Sequence, residues 1–238
     1  MVGKAFIGLV LIPLLFLFGC LSQMESDSVD LLSTFDFESG IQEWEGGISD
    51  YPVDSKETLT LSVDYDPVPS NSLLDGNGPY VSADNPHGDL FYFFKRKVEG
   101  LIPNMHYKLD FEFLIYTQLQ NLSKDISSED LYLKIGAVDF EPKLEQVTWR
   151  NSLEYDALNV DKGILNSDSG EDLINIGSIK QFTSDQAELI SGNTFDFQID
   201  VKTNTEGKIW LIIGVDSGIK SQLTFGLAAL TVYYREQN

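Results

Sequence analysis

Leu109-Asp110-Phe111-Glu112-Phe113-Leu114-Ile115 sets the reading of this chain. Large apolar side chains stand at 109, 111, 113 and 115, and carboxylates at 110 and 112. Successive side chains of an extended chain point to opposite faces, so this spacing makes one face apolar and the other charged. A helix would need apolar residues three and four apart. The same period of two recurs in Leu59, Leu61, Val63 and Tyr65, with Thr60, Ser62 and Asp64 between them. It returns in Phe195, Phe197, Ile199 and Val201, which alternate with Asp196, Gln198, Asp200 and Lys202. Each run reads as a strand with one face to a core and the other to water.

Leu131–Ile135 and Lys208–Ile213 are more continuously apolar and read as central strands. Asp89-Leu90-Phe91-Tyr92-Phe93-Phe94 is aromatic on both faces and predicts a strand covered on both sides. Leu227–Tyr234 predicts the last strand. Asp75-Gly76-Asn77-Gly78-Pro79, Asn85-Pro86-His87-Gly88 and Asn204-Thr205-Glu206-Gly207 carry the residues that break strands into turns. Asp161–Asp172 is polar and predicts a long loop. In Gly100-Leu101-Ile102-Pro103-Asn104, Pro103 and Asn104 favour a turn, and Tyr107 can return its hydroxyl to a nearby backbone group. These elements predict an all-β domain over residues 34–238: a two-sheet antiparallel sandwich of jelly-roll (galactose-binding-like) type.

The net charge is −21, with 37 acidic against 16 basic residues. That density of carboxylates repels phosphates and excludes a nucleic-acid partner. It suits a well-hydrated acidic surface, a saline habitat or divalent cations. Cys20 is the one cysteine, so no disulfide can form within the chain.

The N-terminus is a separate feature. Lys4 is followed by an uncharged apolar run, Ala5–Phe18, and then by Gly19-Cys20. The run is short of the roughly 20 residues a helix needs to span a bilayer. It fits the apolar region of a secretion signal. The order of cation, apolar run, small residue and lone cysteine resembles a prokaryotic lipoprotein signal. That resemblance implies cleavage after residue 19 and a diacylglycerol on the Cys20 thiol, with a plain cleaved signal as the alternative. Residues 20–33 then read as a polar tether. Attached acyl chains would hold the protein to the envelope without a transmembrane helix. Leu21, in place of an aspartate, favours the outer membrane where there are two.

Three stretches carry a further resemblance. They are Phe35–Gly40 with Trp44, Gly46-Gly47 and Ser49-Asp50-Tyr51-Pro52; Asp89–Val98 with Gly100–Asn104; and Trp210–Gly218 with Asn159–Gly163 upstream. Together they resemble a family of uncharacterised secreted or lipid-anchored prokaryotic β-sandwich proteins. Phe37-Glu38-Ser39-Gly40 is also similar to the opening strand of carbohydrate-binding modules. That likeness implies a structural calcium held in part by Glu38. The matching carboxylate is missing from the last strand, Phe225–Leu230.

Calcium takes oxygen ligands, and Asp84 and Asp89 bracket one turn while Asp216 ends a strand. With Glu38 these are the candidate calcium ligands. His87 and His106 are isolated in turn segments, too few for a zinc site. No Gly-x-Ser-x-Gly elbow occurs, and Asp216-Ser217-Gly218 reads as a turn. No motif singles out a carboxylate pair for glycoside cleavage. The chain is therefore expected not to be an enzyme. Trp44, Tyr51, Tyr80 and Trp149 lie in or near polar, turn-rich stretches and are the candidate rings for stacking on sugars. Trp210, inside an apolar strand, reads as core. The resulting expectation is an envelope lipoprotein whose sandwich binds a glycan or another envelope component. A structural envelope lipoprotein with no small ligand is the alternative.

Overall fold

The computed structural model describes residues 31–68, 76–120, 131–148, 153–179 and 188–237. The leader, Cys20 and Trp149 lie outside these residues. In chain order the strands are β1 (Leu31–Phe35), β2 (Glu45–Ser49), β3 (Tyr51–Pro52), β4 (Leu61–Pro67), β5 (Asn77–Asp84), β6 (Leu90–Val98), β7 (His106–Gln120), β8 (Leu131–Val138), β9 (Leu144–Thr148), β10 (Glu154–Leu158), β11 (Leu173–Ser178), β12 (Glu188–Asn193), β13 (Ile199–Lys202), β14 (Ile209–Ser217) and β15 (Gln222–Gln237). One sheet runs β12-β7-β15-β5-β4, with β1 also on β15 and β13 also on β7. The second runs β11-β8-β14-β6-β2, and β3-β10-β9 form a small third sheet. The pairings are antiparallel. The protein is an all-β, two-sheet antiparallel sandwich.

Alternation puts the core where the sequence places it. Leu109, Phe111, Phe113 and Ile115 of β7 face inward, beside Leu223, Phe225 and Leu227 of β15. A bulge between Leu227 and Ala229 shifts the phase, so Leu230, Val232 and Tyr234 continue the inward face. Opposite stand Leu90, Tyr92 and Phe94 of β6 and Leu211, Ile213 and Val215 of β14. Each such side chain contributes roughly 1.5–3 kcal/mol by leaving water. β6 is covered on both faces, because Phe91 and Phe93 join a second cluster with Leu158, Leu173 and Ile212. Trp210 is only half-buried and sits in this outer cluster beneath the Lys95 ammonium, 5.0 Å from its ring centre.

Several local expectations shift. Phe195 and Phe197 do not belong to a strand. Asn193 Oδ1 accepts the Phe195 N–H and Thr194 O accepts the Phe197 N–H, which closes a turn and delays β13 to Ile199. Leu59 precedes β4, its N–H held by Ser55 O. Leu61 and Val63 of β4 remain largely exposed, because β4 is an edge strand. β1 begins at Leu31, so the last three residues of the expected tether pair with β15. The corner at 102–107 forms as expected: the Ile102 N–H donates to the Tyr107 hydroxyl at 3.2 Å, and Asn104 takes φ 57°.

Candidate functional site

The outward face of the larger sheet carries a groove of about 360 Å³. Tyr80 of β5 and Tyr116 of β7 line it, and Gly226 of β15 pairs with both. A Cβ at Gly226 would lie 2.1 Å from Cζ of Tyr116, so that ring occupies the space above the glycine. Tyr80 and Leu114 pack with Tyr116 in a small apolar cluster. Polar groups follow along the strands: Ser82 on β5, Thr224 and Gln222 on β15, and Gln118 on β7. Thr224 Oγ1 donates to Ser82 Oγ at 2.9 Å. Asp66 of β4 closes the far side. Burial, then the neighbouring Tyr80 and Asp66, push the Tyr116 hydroxyl pKa up, so it stays a neutral donor.

Tyr116 is itself 4% exposed and underlies the groove, which offers one partly open ring, Tyr80, beside a strip of hydroxyls and amides. Such a surface stacks on apolar ring faces and reads hydroxyl groups at their edges. Of the three sequence-predicted rings among the described residues, the structure brings only Tyr80 to it. Trp44 is 2% exposed and stands edge-on to Phe35 at 5.4 Å between centroids. It sits at the end of the β1–β2 connection and packs into the main core, which leaves no face for a sugar and corrects the expectation. Tyr51 is 5% exposed and borders a different cleft, on the side of the second sheet. Tyr116 was missed, although the alternation that ends at Ile115 already turns the next side chain outward.

The candidate calcium ligands do not converge. Glu38 is exposed beside Asp36, and Asp84 is exposed at the end of β5. Asp89 and Asp216 instead join a charged cluster on the outward face of the second sheet, with Asp50 and two lysines. Lys134 and Asp216 are both 0% exposed and 3.1 Å apart. Lys162, from the loop after β10, places Nζ 2.6 Å from Asp216 Oδ2 and 2.9 Å from Asp50 Oδ2. Lys134 also donates to Lys162 O and Leu165 O, which ties that loop to β8. The ammonium groups thus occupy the place a metal would need. Among the described residues no group of three or more His, Cys, Asp or Glu side chains is arranged to hold a metal.

Burial sets the electrostatics of this cluster. It raises the Asp50 pKa, with Lys162 opposing. It lowers that of Lys134, with Asp216 opposing. Burial also works against the charge on Lys162, but Asp50 and Asp216 outweigh it and raise its pKa. Asp89 is pushed up to about 6 by burial and then by the Asp50 and Asp216 carboxylates. The Asp89 backbone is fixed separately, since Asn85 Oδ1 accepts the N–H groups of Gly88 and Asp89.

No protein-family model and no curated protein sequence matches the chain. Among solved structures it is similar to the CBM22-1 xylan-binding domain from Paenibacillus barcinonensis Xyn10C, at 9% identity and TM-score 0.36, covering 87% of this chain and 95% of that one. It is similar to the family 11 carbohydrate-binding module of cellulosomal cellulase Lic26A-Cel5E of Clostridium thermocellum, at 14% identity and TM-score 0.34, covering 86% and 95%. It is also similar to the enzymatically active domain of bacteriophage CBA120 tailspike protein 4, at 12% identity and TM-score 0.35, covering 85% of this chain but only 20% of that one. These likenesses are distant, and the site rests on its own residues.

Proposed function

We propose that the protein is a non-catalytic binding module for a neutral glycan, held in the groove beside Tyr80. The observation that carries this reading is the partly open Tyr80 ring, backed by the buried Tyr116, beside Ser82, Thr224, Gln222 and Gln118. Aromatic faces bind the apolar faces of pyranose rings, and the amides and hydroxyls orient the sugar's own hydroxyls. Asp66 in the lining and the net charge of −21 select against polyuronates and sulfated polymers. Calorimetry against neutral and uronate oligosaccharides tests the reading. Neutral ligands bind, and Tyr80→Ala weakens binding at least tenfold with an unchanged melting temperature. Binding to no neutral glycan, or binding indifferent to Tyr80→Ala, overturns the reading and favours a structural envelope protein without a small ligand.

The second part of the proposal is the anchor. The order Lys4, Ala5–Phe18, Gly19-Cys20 supports a mature protein that begins at a lipid-modified Cys20 and stands outside the cytosol. Mass spectrometry of the N-terminal peptide from membrane fractions then shows a diacylglyceryl adduct, and Cys20→Ser moves the protein to the soluble fraction. An unmodified thiol on membrane-derived protein sinks this part alone.

A further inference from the structure

β4 serves two sides. Ser62 and Asp66 point to the tyrosine groove, while Leu61 lies on the other face. That face borders a second cleft, of about 460 Å³, at the open side of the sandwich between the edge strands β4 and β2. Its chemistry differs from that of the groove. The walls are aliphatic, from Leu59, Leu61, Leu144 and Leu158. Phe93 and Tyr51, the rings in its lining, are each only 5% exposed, and Phe93 lies across Gly47, whose Cβ position is 2.8 Å from Cζ. Neither ring offers a free face to a sugar. Leu61 and Leu144 are 48% and 42% exposed, so apolar surface is left in water at the mouth.

Three lysines gather at this mouth, each paired with a carboxylate. Lys56, Lys95 and Lys143 line the cleft against one carboxylate, Glu45, in a chain of net charge −21. Lys95 is committed, donating to Pro142 O at 2.8 Å and pairing with Glu45 at 3.2 Å. Lys56 and Lys143 are each 62% exposed and have one carboxylate partner apiece, Asp156 and Glu141. An ammonium has three donors, so both retain N–H groups for a further anion.

From this juxtaposition we propose that the cleft binds a single-chain carboxylate amphiphile, its aliphatic tail between Leu61, Leu144 and Leu158 and its head on Lys56 and Lys143. A hydrocarbon tail suits aliphatic walls, and a cleft of this size is in the range of small-ligand sites. The site is independent of the glycan groove.

The test is titration of the full-length protein with dodecanoate below its micelle concentration, followed by calorimetry and by amide shifts in NMR. Dodecyltrimethylammonium is the matched probe with the same tail and the opposite head. Leu144→Asp and Lys143→Glu are surface changes, and their melting temperatures verify the fold. One dodecanoate binds saturably. Its affinity falls at least tenfold in Leu144→Asp and at least threefold in Lys143→Glu, and the ammonium probe binds at least tenfold more weakly. Three results overturn the proposal: no saturable binding, equal affinity for the two heads, or binding unchanged in Leu144→Asp. Tyr80→Ala leaves dodecanoate binding unaltered, which separates this site from the groove.

Discussion

Asp89 shows how a single carboxyl can work against the fold that holds it. Its folded pKa, about 6, lies above the ordinary 3.8 because burial and two neighbouring carboxylates disfavour the charge. The folded state therefore binds the proton more tightly than the unfolded one between those values. Asp89's contribution is most favourable below pH 3.8 and declines as pH rises to about 6. Asp89→Asn removes the charge, so it stabilises the protein by about 1–2 kcal/mol at pH 8 and by little at pH 4. Thermal melts at the two pH values check the sign; an equal shift at both contradicts it. Asp216 is the opposite case. It is fully buried and neutralises Lys134 and Lys162 together. Asp216→Ala leaves both ammonium groups short of a partner and costs about 3–5 kcal/mol, read from urea unfolding.

At the scale of elements, β15 organises the groove. It pairs with β5 and β7 along its first half and puts Gly226 between their tyrosines. Backbone freedom is not the reason for a glycine here. The Tyr116 ring fills the place of a side chain. Gly226→Ala drives a methyl into that ring, so it costs about 1–3 kcal/mol and weakens glycan binding at least fivefold by tilting the platform. Unfolding curves and calorimetry on the same variant separate the two effects. The element scale also shows what the sequence could convey. Period-two alternation located β7, and continuous apolar runs located β8 and β14, because their inward residues meet one continuous core. It failed at Phe195–Phe197, where Asn193 and Thr194 close a turn that competes with the strand. It could not separate Trp44 from a surface ring, because Trp44 is buried against Phe35 and the main core. Tyr116 escaped for a related reason: it points outward from its strand, yet it is buried in a cluster with Val68 and Ala228 that spacing along β7 does not reveal. Lys134 and Asp216 alternate with the inward Leu133, Ile135 and Val215, yet the loop after β10 packs onto both. Such covering is a long-range event that local spacing does not encode.

Over the whole molecule, 37 acidic residues against 16 basic ones make self-repulsion a standing cost of the compact state. The exposed ion pairs, such as Lys97–Glu99 and Lys143–Glu141, offset little of it, since exposed pairs contribute about 1 kcal/mol or less each. Screening therefore stabilises. Raising NaCl from about 10 mM to about 300 mM shortens the Debye length from about 30 Å to well under about 10 Å. The stability gain is about 1–2 kcal/mol, or a melting temperature about 2–6 °C higher. Differential scanning calorimetry reads this directly, and a falling melting temperature would mean that ion pairs outweigh repulsion. The same instrument separates screening from a calcium site. Glu38 and Asp84 stand apart on the surface, while Asp89 and Asp216 belong to a cluster that Lys134 and Lys162 neutralise. Calcium and magnesium at matched ionic strength should then raise the melting temperature equally. A calcium-specific increment of several degrees, saturating at low millimolar concentration, would require oxygen ligands that these four carboxylates do not supply.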